Sequence, residues 1–237
     1  MGERMPLTRG YMTLAIAGLL WAGCAVDPPP IVIHEEKPLT VWLKFDPANG
    51  TGHSHPTSVS REQMTAVLRG LGVRGRDTIT GFGLLGETDS VPAFTSAEVS
   101  TLAPLLTEAL AKASPKDMVT FYLITRDQQR DELVTSGGLF VRNRHLYVIL
   151  ANARTSKYAP QYENPSTIDT RDQPLLPIAR YRFTTVFTPR EAWIPNTAVR
   201  GKDGYDRYLD ESKLVVIDLD RIAPVTNIGR PPTVSWP

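Results

Sequence analysis

The segment MVTFYLI, residues 118–124, decides the fold of this chain. Side chains alternate between the two faces of a strand, and here both faces are apolar. This pattern predicts a strand at the centre of a sheet. Residues 134–141 and 145–151 are two more apolar segments, joined by the polar turn Arg142-Asn143-Arg144, and they predict a β-hairpin next to that strand.

Further segments predict additional strands. Residues 39–45, LTVWLKF, place four apolar side chains on one face and predict the first strand. Residues 180–187 alternate between aromatic and polar side chains, and residues 213–219 predict the last strand. Residues 78–85 are another candidate strand, although glycines weaken it.

Two helices are predicted from their start signals. Ser60 with Gln63, and Thr95 with Glu98, form capping boxes, and apolar residues follow each box at helical spacing. Pro104 lies inside the second pattern. Because proline has no backbone N–H, we expect a kink or a restart of the helix there.

The order of these elements indicates the fold class. It is β-α-β-α followed by five strands, and no helical pattern separates the first three of them. This order predicts an α+β fold, with a mostly antiparallel sheet of about six or seven strands and two helices packed on one face. Residues 39–223 are predicted to form this single domain.

The first 24 residues carry a different signal. Arg4 and Arg9 precede an apolar run at residues 11–21, which ends in Ala22-Gly23 and then Cys24. A basic start, an apolar middle and a small-residue exit are typical of a secretory signal peptide. The cysteine directly after Ala22-Gly23 resembles the lipobox of bacterial lipoproteins.

This resemblance implies a lipid-anchored protein. It implies that residues 1–23 are removed as a signal peptide and that Cys24 carries lipid on its sulfur and an acyl chain on its new amino group. The membrane is then a partner, since several acyl chains anchor a protein firmly. Residues 11–23 are too few to span a bilayer, which takes about 17–25. Ala25, where enteric lipoproteins of the inner membrane carry Asp, implies the outer membrane of the cell envelope.

Two alternatives to the lipid anchor stay open: an ordinary cleaved signal peptide with an idle cysteine, and an uncleaved signal anchor. In each interpretation the domain is flanked by proline-rich segments. Residues 24–38 are predicted to be a tether, because Pro28-Pro29-Pro30 is stiff and the charged residues after it are solvated. Residues 224–237 are predicted to be a Pro-rich C-terminal tail.

Charge and cysteine content exclude several functions. The chain has 26 basic and 25 acidic residues, and loss of residues 1–23 leaves equal numbers of each. A neutral domain lacks the basic excess of a nucleic-acid binder. Once its only cysteine is lipidated, the chain has no thiol for a disulfide, for catalysis or for a metal. We expect no cofactor.

The sharpest polar cluster is residues 52–56, GHSHP. In an extended loop, His53 and His55 point the same way, but a metal site needs three or four ligands. A solvated turn is therefore favoured over a metal site. Ser54 raises the possibility of a nucleophile, yet the Gly-x-Ser-x-Gly pattern of hydrolases is missing.

Other polar residues are interpreted as structural. Ser136 precedes Gly137 and Gly138, which in a hairpin strand mark a bulge or a close backbone contact. Asp127 and Asp131 alternate with arginines and predict a solvated, charge-paired turn.

Two regions are candidates for binding. Arg142 and Arg144 predict a basic hairpin tip, which can contact anionic lipid headgroups or an acidic partner, although ordinary solubility is favoured. The long connections at residues 153–177 and 189–212 carry aromatic residues of the kind enriched in interfaces. These residues form either a binding surface or a lid over the sheet: Tyr158, Tyr162, Trp193, Tyr205 and Tyr208.

The sequence therefore predicts a membrane-anchored lipoprotein that binds or supports another component of the envelope, more readily than an enzyme. One alternative is an envelope hydrolase that uses His53 or His55 near a serine or carboxylate in a deep pocket. The other is a protein that binds a small ligand or glycan in a pocket roofed by residues 153–177.

Overall fold

The computed structural model describes residues 27–46, 52–75, 90–157, 170–178, 183–199 and 211–222. The helices in these ranges are α1 (Arg61–Gly70), α2 (Ser96–Lys112) and α3 (Asn196–Val199). The strands are β1 (Ile31–Glu36), β2 (Leu39–Phe45), β3 (Leu71–Arg74), β4 (Val91–Pro92), β5 (Asp117–Arg126), β6 (Glu132–Arg142), β7 (His145–Ser156), β8 (Thr184–Phe187), β9 (Trp193–Ile194) and β10 (Leu214–Asp218).

The main sheet has seven strands in the order β1-β2-β5-β6-β7-β10-β9, and each neighbouring pair is antiparallel. The central strand β5 contains the segment MVTFYLI, and β6 and β7 form the hairpin that follows it. The predicted α+β class with a mostly antiparallel sheet is therefore confirmed. No helix in the described ranges is both long and apolar enough to cross a membrane.

Both long helices lie on one face of this sheet and begin where the capping boxes predict. Ser60 accepts the Gln63 amide and Thr95 accepts the Glu98 amide, and in each box the second side chain bonds back to the cap. The apolar sides of α1 and α2 pack on Val41, Phe121 and other buried residues of the sheet in one continuous core. The predicted interruption at Pro104 is wrong in one respect, because α2 runs through it as a single helix.

A second, small sheet of order β4-β3-β8 joins the end of α1. The sequence pattern at residues 180–187 predicts a strand, and the structure has one at Thr184–Phe187, which pairs with β3. The chain turns directly from α1 into β3 at Gly70, where a Cβ would overlap the carbonyl oxygen of Thr188. Only glycine fits there, because two backbone segments meet without space for a side chain.

The predicted tether is wrong over part of its length. Residues 31–36 form β1, which pairs with β2 and makes one edge of the main sheet. The sequence IVI at residues 31–33 is β-branched and suits a strand, but the prolines before it and the charges after it obscured that signal. Residues 27–30 precede the strand and are exposed. Cys24, the candidate strand at 78–85 and the tail at 224–237 lie outside the described residues.

Candidate functional site

The histidine loop, residues 52–57, takes the place of a missing strand segment. The pairing of β5 with β6 ends at Val119 and Leu139, so the backbone of Val141 in β6 has no partner from β5. The loop supplies one: the Ser54 amide donates to the Val141 carbonyl at 2.7 Å, and the Val141 amide donates to Nε2 of His55 at 3.0 Å. Both polar groups of a buried strand residue are thereby satisfied.

His53 is held by a carboxylate and an aromatic ring. Its Nε2 lies 3.0 Å from Oδ2 of Asp46, the residue that follows β2, and its amide donates to the Pro115 carbonyl at 2.8 Å. The imidazole stacks on Phe140 with a centroid distance of 4.4 Å. These contacts fix the loop to the face of the sheet opposite the helices.

His55 is a neutral hydrogen-bond acceptor. Because the Val141 amide can only donate, Nε2 of His55 carries a lone pair and the ring proton is on Nδ1. Burial, together with the nearby His53, lowers the pKa of His55 to about 4, although Asp117 and the backbone of Ser114 oppose this shift. His55 therefore stays uncharged at neutral pH.

The expectation of a solvated turn at these histidines is wrong, since each is only 5% exposed. Both Nε2 atoms face protein groups, and no group of three potential metal ligands occurs in the described part of the chain. The hydroxyl of Ser54 accepts the Asn143 amide at 2.8 Å. No sequence pattern identifies Asp46 as the partner of His53, because an aspartate before a proline is typical of a turn.

The hairpin tip is not the exposed basic patch that the sequence predicts. Arg142 is buried, and its guanidinium carbon lies 6.0 Å from the centre of the Phe140 ring. The aliphatic part of an arginine side chain can be buried against apolar residues, and Arg142 lies in this way at the end of an apolar strand. Arg144 is exposed and forms an ion pair with Asp220. A single, charge-compensated arginine therefore remains at the surface of this turn.

The second face of the sheet is covered by residues 170–178, here called the strap. The Tyr122 hydroxyl lies 2.7 Å from the hydroxyl of Thr170, and the Ser136 hydroxyl donates to the Pro174 carbonyl at 2.7 Å. Asn152 donates to the Leu176 carbonyl at 2.9 Å. It also accepts the amide at the end of the strap, that of Ile178, at 2.8 Å.

The strap lies close to the sheet because β6 is bulged and lacks side chains there. The register between β6 and β7 shifts on both sides of Ser136, as the glycines predict. A Cβ at Gly138 would be 3.1 Å from Cδ2 of Leu175 in the strap. In this stretch the predicted lid is therefore seated directly on the strands, and the Ser136 hydroxyl is fully buried under it.

The interface aromatics divide into two groups. Trp193 is half-buried in β9, pairs with Ile217 and packs against the main core, so it is not an exposed binding residue. The other four, Tyr158, Tyr162, Tyr205 and Tyr208, lie outside the described residues.

The acidic turn after β5 is structural, as predicted. Asp127 accepts the amides of Gln129 and Asp131 at 2.9 and 2.8 Å, and Glu132 pairs with Lys157 at 3.0 Å. These are the contacts of a charge-paired turn.

The helix face contains one small void of about 10 Å³ between Met64, Leu106 and Phe121. That is about the space of one water molecule.

Comparison of the chain with protein-family models, with curated proteins and with solved structures gave no match.

Proposed function

We propose that this protein is a bacterial lipoprotein, anchored through Cys24, whose domain binds or supports another component of the cell envelope. The observation that carries this proposal is the order of Arg4 and Arg9, the apolar run 11–21 and Ala22-Gly23-Cys24. The path of the chain supports it. Residues 27–30 are exposed and lead into an edge strand, so a lipid at Cys24 can enter a bilayer without disturbing the core.

The role of the histidines favours binding over hydrolysis. A catalytic histidine exchanges protons with a nucleophile that it contacts. His53 does contact the carboxylate of Asp46, as a hydrolase would require, but its side chain is fully buried. His55 accepts a backbone amide, and the Ser54 hydroxyl accepts another. We therefore assign the histidine loop to the stability of the sheet end.

The anchor is tested by mass spectrometry of the protein purified from membranes of a Gram-negative host. We expect a mature chain that begins at Cys24 with a diacylglycerol thioether and an acylated amine. The Cys24→Ser variant should remain unprocessed, so its mass should be that of the chain from Met1 with no diacylglycerol and no added acyl chain. An intact Met1 or a free thiol at Cys24 in the wild-type protein would overturn the proposal.

The outer-membrane location is tested with one residue. Under the sorting rule of enteric bacteria, Ala25→Asp should move the protein from the outer-membrane to the inner-membrane fraction, and Ala25→Ser should not. Recovery of the wild-type protein in the inner-membrane fraction would contradict the assignment.

The binding role is tested by photocrosslinking in cells. A crosslinker at Tyr158 or Tyr205 should capture a discrete envelope partner, whereas the same group at Gln128, an exposed residue of the β5–β6 turn, should not. Equal capture at all three positions would contradict a specific surface on the long connections.

A further inference from the structure

The two ends of the main sheet differ in how they relate to the anchor. At one end Phe45 pairs with Asp117 and Arg142 with His145, and the chain enters β1 there at Ile31. We call this the entry end. At the far end lie the turn between β1 and β2 and the turn between β5 and β6.

Ile31 and Val32, at the entry end, are the most exposed large apolar side chains of the described ranges. They are 56% and 53% exposed, compared with 37% for Leu175 in the strap. Successive side chains of a strand point to opposite faces, so apolar surface is open on both sides of the start of β1. Adjacent exposed apolar residues at a sheet edge mark a contact surface more often than scattered single ones.

The length of chain before Ile31 limits what this surface can reach. At about 3.3–3.6 Å per residue, the segment from Cys24 to Ile31 spans at most about 25 Å. Pro28-Pro29-Pro30 also resists folding back on itself. The ten residues of β5 alone extend about 33 Å from the entry end to the far end. A lipid at Cys24 therefore brings the entry end, and not the far end, to the membrane.

The arginines at this end do not explain a contact with anionic lipid. Arg142 is buried, Arg144 pairs with Asp220, and Arg221 pairs with Asp218 at 3.1 Å. Cations that are already paired gain little from anionic headgroups, and an apolar contact is insensitive to them.

We propose that Ile31 and Val32 insert into the interface of the phospholipid bilayer and hold the domain with its entry end on the membrane. This inference rests on the proposed lipid anchor at Cys24. The contact is apolar, so it forms on zwitterionic phosphatidylcholine and persists in high salt.

The test uses the lipidated full-length protein in phosphatidylcholine vesicles that contain a lipid with a nitroxide on its headgroup. Because the only native cysteine carries the lipid, one introduced cysteine can be labelled selectively. Lys116→Cys places a fluorophore at the exposed entry end, and Gln128→Cys places it at the exposed far end. We expect several-fold stronger quenching at position 116 than at 128. Equal quenching, or stronger quenching at 128, would overturn the proposal.

Substitutions in β1 test the side chains themselves. Ile31→Ser with Val32→Ser should bring the two quenching values close together, while Glu35→Ser with Glu36→Ser, in exposed positions of the same strand, should leave them apart. If the difference survives the first pair, the short tether alone orients the domain and the apolar contact is refuted. Flotation with the vesicles is measured in parallel. A protein that does not float refutes the anchor, whereas a protein that floats with equal quenching refutes only the contact.

Discussion

The two faces of the main sheet are covered in different ways. On one face, α1 and α2 form a continuous apolar core with the strands. On the other, the strap and the histidine loop are held largely by hydrogen bonds between side chains and backbone, in which Ser136 and Asn152 donate and His55 accepts. The helix face depends on buried apolar area, and the second face depends in addition on a few polar contacts that must each be made.

This difference has a consequence for stability. Loss of one apolar group removes only its own share of the buried area, and the surrounding side chains relax around the gap. Loss of one partner in a buried hydrogen bond leaves the other unsatisfied and can release a whole segment. We therefore expect substitutions of the polar side chains on the second face to act on segments, and substitutions of buried apolar side chains on either face to act on the domain as a whole.

The largest effect should come from the aromatic centre of the second face. Phe140 is fully buried, stacks on Tyr147 at 4.8 Å and supports His53. We expect Phe140→Ala to lower the free energy of unfolding by about 4 kcal/mol, and Leu106→Ala on the helix face to lower it by about 3 kcal/mol. Urea denaturation followed by circular dichroism measures both. A cost for Phe140→Ala well below that of Leu106→Ala would mean that the second face is only loosely packed.

The next largest effect should come from loss of the hydrogen bonds that hold the strap. Asn152 is buried and bonds to the strap at two points, so Asn152→Ala leaves the Leu176 carbonyl and the Ile178 amide without these partners. We expect a loss of about 3 kcal/mol and faster hydrogen exchange at the Ile178 amide.

Tyr122→Phe is the matched control for the strap. It removes the hydroxyl that contacts Thr170 and should cost about 1 kcal/mol. If exchange at Ile178 is as slow in Asn152→Ala as in the wild-type protein, Asn152 does not hold the strap.

The two faces also differ in how far the sequence predicts them. Periodic apolar residues and the capping boxes at Ser60 and Thr95 place both helices, because these signals are local. Burial of the histidine loop depends on a partner in β6, Val141, and on the end of the β5–β6 pairing at Val119, which no local pattern reveals. The same holds for Arg142, whose position at a turn indicates exposure although its side chain lies on Phe140. Segments that are held by single long-range hydrogen bonds show no periodic pattern of apolar residues in the sequence, so the sequence does not predict their position.

The histidine loop should make the second face sensitive to acid. The folded protein holds the pKa of His55 at about 4, below its ordinary value of 6.5. Between these values the unfolded chain binds a proton that the folded chain does not, so stability falls as the pH falls through this window. We expect a loss of about 2 kcal/mol, after allowance for solvent screening.

A non-titrating acceptor is the control for this pH effect. His55→Gln keeps an acceptor for the Val141 amide and should remove this part of the pH dependence, whereas His34→Gln in β1 should keep it. The charged or titratable groups that act on His55, His53 of the same loop and Asp117 of β5, are unchanged in both variants. Stability of His55→Gln that falls as steeply as that of the wild-type protein would assign the acid sensitivity elsewhere.

The smallest effect should come from the exposed ion pair at the hairpin tip. Arg144 and Asp220 are both largely solvated, and such pairs contribute little because ordering two long side chains in water offsets their attraction. We expect Arg144→Ala to leave the denaturation midpoint unchanged, whereas Arg142→Ala, two residues away but buried next to Phe140, should lower it measurably. If both substitutions have the same effect, burial of Arg142 does not stabilise the second face. The buried arginine then contributes no more than the exposed ion pair of Arg144.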